Sequence, residues 1–394
     1  MMTENAPLAR PDVRALRASS IREVANAGMG RSDVLPFWFG EPDEPTPAFV
    51  EAAAVAALGA HQTRYAQTLG TPELREALAA YVTRLHAPVA ADRIAVTSGG
   101  TPALMAAMQA LVSPGDRVVV LTPMWPNLAG MPRVLGAEVE HVALAFGVEG
   151  WQLDVQRLLD ALTPDTRVLL LNSPNNPTGF TLERSAQAAI LEHCRRRGIW
   201  VVGDDVYERL YFQGACAPTF LDIAGPQDRV ISCNSFSKAW SMTGWRVGWM
   251  VVPQVLLPEV SKLIELHTTC APPFVQHAAL VAVQQGEGAI AHSVARLRRG
   301  RDHLFQRLRQ VGRVQLAAPP AGAMYAFFRI EGMRDSLHFC RRLMLEAGLG
   351  LAPGVAFGAE GEGYLRWCFA STIERLDDGV ERLARFLAHD RTKD

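Results

Sequence analysis

The chain has 394 residues, 49% of them apolar, which is enough to bury a large core and, at about 150 residues per domain, to build two or three domains. Its 39 lysines and arginines balance 40 aspartates and glutamates, a formal charge of −1, so the basic excess of a dedicated nucleic-acid binder is absent. No apolar run approaches the length of about 18 residues that a membrane span needs, and the polar N-terminus lacks a secretory leader. The expectation is a cytoplasmic protein with neither membrane nor nucleic-acid partners.

The N-terminal segment is polar, with a helix expected from about Ser19 to Ala27. VLPFWFGEPDEPTP (34–47) is rich in proline and reads as an extended connector. Helices are expected at 48–58 and 72–86, the second with Thr71 at its N-cap and Pro72 at its first position. From residue 93 the rhythm changes. RIAVTSGG is a strand running into glycines, and TPALMAAMQALV is a helix capped by Thr101. Buried strands follow at 117–121, 168–172, 200–205, 230–235 and 248–252, with helical segments between several of them. That alternation implies a mainly parallel sheet covered on both faces. Beyond residue 290 the chain is helical and arginine-rich, then adds short strands at 323–330 and 364–370 and a last helix at 375–388. The expected fold is α/β: a large domain with a mainly parallel, helix-covered sheet (48–290), and a smaller α+β domain built from the N-terminal segment (1–47) and the C-terminal third (291–394).

Only three lysines are present, Lys238, Lys262 and Lys393; every other basic residue is arginine. Amine chemistry therefore has few places to occur. Six scattered cysteines with no CxxC pair point to reduced thiols, and ten histidines show no metal-ligand spacing. Ser235-Phe-Ser-Lys238 matches the SxxK of serine acylases, but the KTG partner motif is missing.

Four other segments converge. Ser98-Gly-Gly-Thr101 stands at a strand-to-helix junction, where free N–H groups and the helix dipole suit an anion. Asn172-Ser-Pro-Asn-Asn-Pro-Thr-Gly179 follows a strand expected to end in a ligand crevice. Asp204-Asp-Val-Tyr207 ends the next strand, and a carboxylate there is costly unless paired with a cation such as a protonated ring nitrogen. Ser235-Phe-Ser-Lys238 leads on to Gly244-Trp-Arg246-Val-Gly248. Lys238 follows a buried strand and is the natural imine former, while Arg246 suits a phosphate.

Taken together, SPNNPTG, DDVY and SFSKxxxxxGWRxG resemble the class I/II aminotransferases of the fold-type I pyridoxal-phosphate enzymes, and the likeness runs through roughly residues 20–390. The resemblance implies pyridoxal 5'-phosphate as cofactor. Lys238 matches the lysine that bonds the cofactor and then moves a proton. Asp204 matches the carboxylate that keeps the ring nitrogen protonated. Tyr207 and Asn176 match the pair that bonds the ring oxygen. Gly99, Gly100, Thr101, Ser235 and Arg246 match the phosphate cradle, and Trp125 the stacking aromatic. Arg366, with Gly40, matches the group that grips the substrate α-carboxylate. Tyr65 matches a tyrosine that reaches the neighbouring subunit's cofactor phosphate, which implies a homodimer with shared sites.

The implied activity is transfer of an amino group from an L-amino acid to a 2-oxo acid by a ping-pong mechanism. A β-C–S lyase of the same fold is the alternative, followed by an aspartate-type aminotransferase. Two devices that hold aspartate's second carboxylate in relatives are not evident: position 101 is threonine rather than lysine, and no arginine precedes Pro272-Pro273. Leu128 stands where many relatives have a tyrosine. An apolar pocket mouth is expected from Ile21, Phe37, Trp38, Phe39, Trp125 and Met124, which favours a neutral or aromatic amino acid.

Overall fold

The computed structural model describes residues 9–390. Seven strands form its central sheet: β1 (Ile94–Thr97), β2 (Arg117–Thr122), β3 (Glu138–Ala143), β4 (Thr166–Asn172), β5 (Trp200–Asp204), β6 (Val230–Ser235) and β7 (Gly248–Val251). Their spatial order is β1-β7-β6-β5-β4-β2-β3. Every pairing is parallel except those of β7, which is antiparallel to both β1 and β6. The mainly parallel sheet read from the sequence is therefore present.

The strand sequences explain why both faces are covered. Val118 and Val120 join one apolar cluster with Val168, Leu170 and Val202. Val119 and Leu121 join another with Leu169, Leu171 and Val201. Successive side chains point to opposite faces, so a continuous apolar run needs a core on each side. Edge strand β3 escapes sequence reading because it carries Glu138, Glu140 and His141 among its apolar residues.

Four antiparallel strands make the second sheet: β8 (Val314–Gln315), β9 (Tyr325–Ile330), β10 (Ala352–Pro353) and β11 (Tyr364–Cys368), in the order β8-β9-β11-β10. The N-terminal segment is tied to this part of the chain, since Leu35–Pro36 pairs in parallel with Leu349–Gly350. The helix Glu287–Leu308 runs unbroken from one core to the other: Ile290 packs beside the large sheet, Leu297 and Leu304 beside the small one.

Two sequence expectations need correction here. The helix after β1 spans Gly100–Leu111 and is capped by Gly99, not Thr101. Gly99 takes φ +115, which turns the chain early and leaves Thr101 inside the first helical turn. Phe37, Trp38 and Met124 do not line the pocket mouth. The Phe37 ring lies 5.0 Å from that of Trp367, and Trp38 packs so tightly on Gly28 and Gly350 that a Cβ at either would meet its ring at 2.7 and 2.1 Å. Both belong to the small-sheet core, while Met124 is buried with the large-sheet core. Among the described residues, no helix is long and apolar enough to cross a membrane.

Candidate active site

The C-terminal ends of the parallel strands converge on one cavity of about 350 Å³. This is where an open α/β sheet leaves a crevice for ligands. Asn172 ends β4, Asp204 ends β5 and Ser235 ends β6; the loop after β2 brings Trp125, and the helix after β1 brings Gly100 and Thr101. Arg366 enters from β11 and Gly40 from the connector. Asn176, Tyr207, Lys238 and Arg246 complete the predicted residues that line it.

Lys238 sits in a four-residue helix, Phe236–Ala239, capped by Ser235, whose Oγ accepts from the Ser237 N–H at 3.4 Å. Its Nζ donates to the Gly40 carbonyl. Burial draws the Lys238 ammonium down to about 8, and Arg366 acts in the same direction. Asp204 is buried, and burial pushes its carboxyl up to about 7. Its Oδ1 has no hydrogen-bond partner among the described residues, an uncommon state for a buried carboxylate.

The surrounding bonds hold these groups in register. Asn172 Nδ2 donates to the Asp204 carbonyl at 2.8 Å, and Asn172 Oδ1 accepts from the Asn176 N–H at 2.7 Å. One amide thereby fixes both the Asp204 strand end and the Asn176 turn. Arg366 donates through Nη1 to Asn176 Oδ1 at 2.9 Å and through Nη2 to the Trp38 carbonyl. Its guanidinium lies 4.5 Å from the Tyr325 ring centroid and 4.9 Å from that of Phe357. Arg246 takes φ +53 and donates through Nη1 to the Thr243 carbonyl at 2.8 Å. A Cβ on Gly99 would stand 2.5 Å from Arg246 Nη2, so glycine is required for the arginine to lie against that backbone.

The sequence matches the family model for aminotransferase class I and II over residues 32–383. This chain belongs to the class I and II aminotransferases. It is a transaminase, and members of this family use pyridoxal 5'-phosphate. It is 33% identical over 356 residues to an aspartate aminotransferase of Thermotoga maritima, covering 90% of this chain and 92% of that one. It is also 33% identical over 359 residues to a valine–pyruvate aminotransferase of Mycobacterium tuberculosis, covering 90% and 91%. The solved structure of Thermus thermophilus aspartate aminotransferase with maleate matches at a TM-score of 0.89 and 32% identity, covering 96% of this chain and all of that one.

The cavity is also lined by residues the sequence did not single out. Tyr325 donates to or accepts from Tyr207 across a 2.6 Å hydroxyl pair, and burial raises both phenols well above their usual range. A Cβ on Gly40 would lie 1.8 Å from Tyr325 Oη, so Gly40 is needed for this tyrosine to reach the cavity. Arg22, on the helix Ser20–Gly28, lines the cavity beside Ile21 and Phe39. Tyr65 does not line it; its side chain is 88% exposed. Leu128 is buried away from the cavity. Lys393 lies outside the described residues.

A second polar cluster lies around His86. His86, at the end of the helix Pro72–Leu85, has Nδ1 2.9 Å from Asp222 Oδ1 and Nε2 3.1 Å from Glu208 Oε2. Burial disfavours its charge, but bonds to Asp222, Cys216 and Glu208 outweigh that and hold the imidazolium protonated well above the usual histidine range. Ligand-type atoms of His86, Glu208 and Cys216 lie within 4.8 Å of one another, a convergence that histidine spacing in the sequence does not reveal. The hydrogen bonds of a doubly paired imidazolium account for it.

Proposed function

We propose that this cavity holds pyridoxal 5'-phosphate and transfers the amino group of an L-amino acid to a 2-oxo acid by a ping-pong mechanism. The observation that carries the reading is one cavity lined both by a half-buried amine drawn down to about 8, Lys238, and by a buried carboxylate with a free oxygen, Asp204. When bound, the cofactor supplies an electron sink for the bond broken at the amino acid's Cα. Lys238 provides an amine that gives up its proton more readily than an ordinary lysine, able to bond a carbonyl carbon and then to carry a proton. The free oxygen of Asp204 matches a protonated ring nitrogen, and that pairing would offset the cost of burying its charge. Asn176 and Tyr207, the latter held by Tyr325, suit the ring's phenolic oxygen.

Gly99, Gly100 and Thr101 offer free N–H groups and a helix dipole to a phosphate, with Ser235 and Arg246 beside them. Trp125 supplies the stacking face. Arg366 takes the substrate α-carboxylate together with the Gly40 backbone, its plane fixed beforehand by Asn176 and the Trp38 carbonyl. Exposed Tyr65 would reach the phosphate of a second copy, making the enzyme a homodimer with shared sites. The division at 1–47, 48–290 and 291–394 belongs to the same proposal, supported by separate cores beside the two sheets. Cytoplasmic residence fits six cysteines that are all free thiols.

For the substrate, Ile21, Phe39, Leu104 and Trp125 give the cavity an apolar wall that favours a neutral or aromatic side chain. A dicarboxylic substrate is the second reading. It is favoured by Arg22 at the same wall and by the aspartate named for the Thermotoga relative, whereas the Mycobacterium relative is named for valine and pyruvate. The test is the visible absorbance of the loaded enzyme during addition of L-amino acids alone. The expected result is loss of the cofactor's visible band with neutral or aromatic amino acids and its return on adding a 2-oxo acid. Pyruvate release from a cysteine conjugate with no oxo acid present, and no such cycle, would instead make the protein a β-C–S lyase.

A further inference from the structure

We propose that Tyr325 is a positioning residue of this transaminase: its hydroxyl donates to Tyr207, which commits the Tyr207 proton to the phenolic oxygen of the bound cofactor. The inference rests on the proposed function and adds to it the direction of one hydrogen bond and the residue that sets it.

Proton counting sets the direction. Two phenols share the 2.6 Å contact, and either oxygen there is able to donate. Each phenol carries one proton, so a single bond between them leaves one proton to be placed elsewhere. Tyr325 is 1% exposed and Tyr207 4% exposed, so the spare proton needs an acceptor inside the site. Burial keeps both phenols protonated at neutral pH. If Tyr207 donated to Tyr325, the Tyr325 proton would have to find an acceptor of its own. Among the described residues, Tyr207 is the one hydrogen-bond partner of Tyr325. The backbone carbon of Gly40, which offers no lone pair, crowds the hydroxyl, and the Gly40 carbonyl is engaged by Lys238 Nζ. If Tyr325 donates instead, the Tyr207 proton is free to point into the cavity that both side chains line. An anionic phenolic oxygen there is a strong acceptor, and two hydrogen bonds in series strengthen each other.

The fold fixes Tyr325 for this task. It opens β9, where its main chain pairs with Cys368 of β11. The Arg366 guanidinium lies 4.5 Å from its ring centroid, a cation that holds the ring but takes no proton from the hydroxyl. The Tyr325 and Tyr207 rings meet edge to face, with centroids 5.7 Å apart and planes at 77°. The charged and titratable groups around the pair are Asp204, Lys238, Arg366 and Cys368, and every variant below retains them.

The experiment titrates the visible absorbance of the cofactor-loaded enzyme with pH, in wild type, Tyr325→Phe, Tyr207→Phe and the double variant, with no substrate present. The midpoint reports how well the anionic phenolic oxygen is stabilised, so losing a donor raises it. Y207F should raise the midpoint by about 1 to 2 pH units, the span of one charge-assisted hydrogen bond. Y325F should raise it by about 0.2 to 0.5 of a unit, the share that a second bond in series contributes. In the Y207F background, Y325F should add no further shift, because its effect passes through Tyr207. An unchanged or lowered midpoint in Y325F overturns the assignment, and so does a Y325F shift that persists without Tyr207. A wild type with no visible band after pyridoxal phosphate is supplied contradicts the proposed function, and the relay with it; a titrating band indifferent to Y325F overturns the relay alone.

Discussion

Lys238→Ala should lower the rate of amino-group transfer by at least about 10⁴-fold, beyond what loss of a positioned proton carrier alone removes. The magnitude follows from the chain's composition as much as from its geometry. Of the two remaining lysines, Lys262 is exposed on the helix Leu257–Thr268 and paired with Glu259 at 2.8 Å, and Lys393 lies outside the described residues. Among the described residues, no second amine lines the cavity. The phosphate-binding groups are untouched by the substitution, so K238A should still bind pyridoxal phosphate non-covalently, seen by equilibrium dialysis. Steady-state rates with the best donor identified for wild type check the prediction. A variant within tenfold of wild type would show that Lys238 has neither role.

Asp204→Asn should produce the second largest loss, about 10²- to 10³-fold in kcat, the usual scale for removing one preorganised charge partner from a buried site. Asparagine keeps the shape but cannot hold the ring nitrogen protonated. The same substitution should stabilise the cofactor-free protein. Burial pushes the Asp204 carboxyl to about 7 from an unfolded value near 3.8, so the folded chain binds the extra proton between those values. The native state therefore loses stability as pH rises from about 4 to 7, on the order of 4 kcal/mol in all, and D204N escapes that loss. Its advantage over wild type should vanish below about pH 4 and be complete above pH 7. Urea unfolding of both cofactor-free proteins at pH 4 and pH 8 measures it; equal stability at pH 8 would mean that Asp204 is not an unpaired buried charge.

What was legible in the sequence was what strand ends and short turns encode. Lys238, Asp204, Asn176 and Arg246 were readable because each sits within a few residues of a buried strand or in a turn with distinctive residues, and local chain geometry then commits them to one crevice. Tyr325 was hidden inside a strand, AMYAFFRI, where an aromatic reads as core; only its approach to Gly40 and Tyr207 marks it. Arg22 carries no motif, and its place depends on how the N-terminal helix packs across the cavity. Phe37 and Trp38 misled for the opposite reason. Apolar residues beside Gly40 suggested a pocket wall, but the small-sheet core, with room made by Gly28 and Gly350, holds them. The His86 cluster gathers residues from 86, 208, 216 and 222, a separation over which spacing in the sequence carries no signal.

The central claim is that Lys238 is the amine that meets the cofactor. Borohydride reduction of the pyridoxal-phosphate-loaded protein fixes the cofactor to whichever lysine holds it, and proteolysis with mass spectrometry then locates the added mass. The predicted result is modification of the peptide containing Lys238, at one cofactor per chain, with Lys262 and Lys393 unmodified. Modification of either of those lysines in its place, or of none, would contradict the site as described.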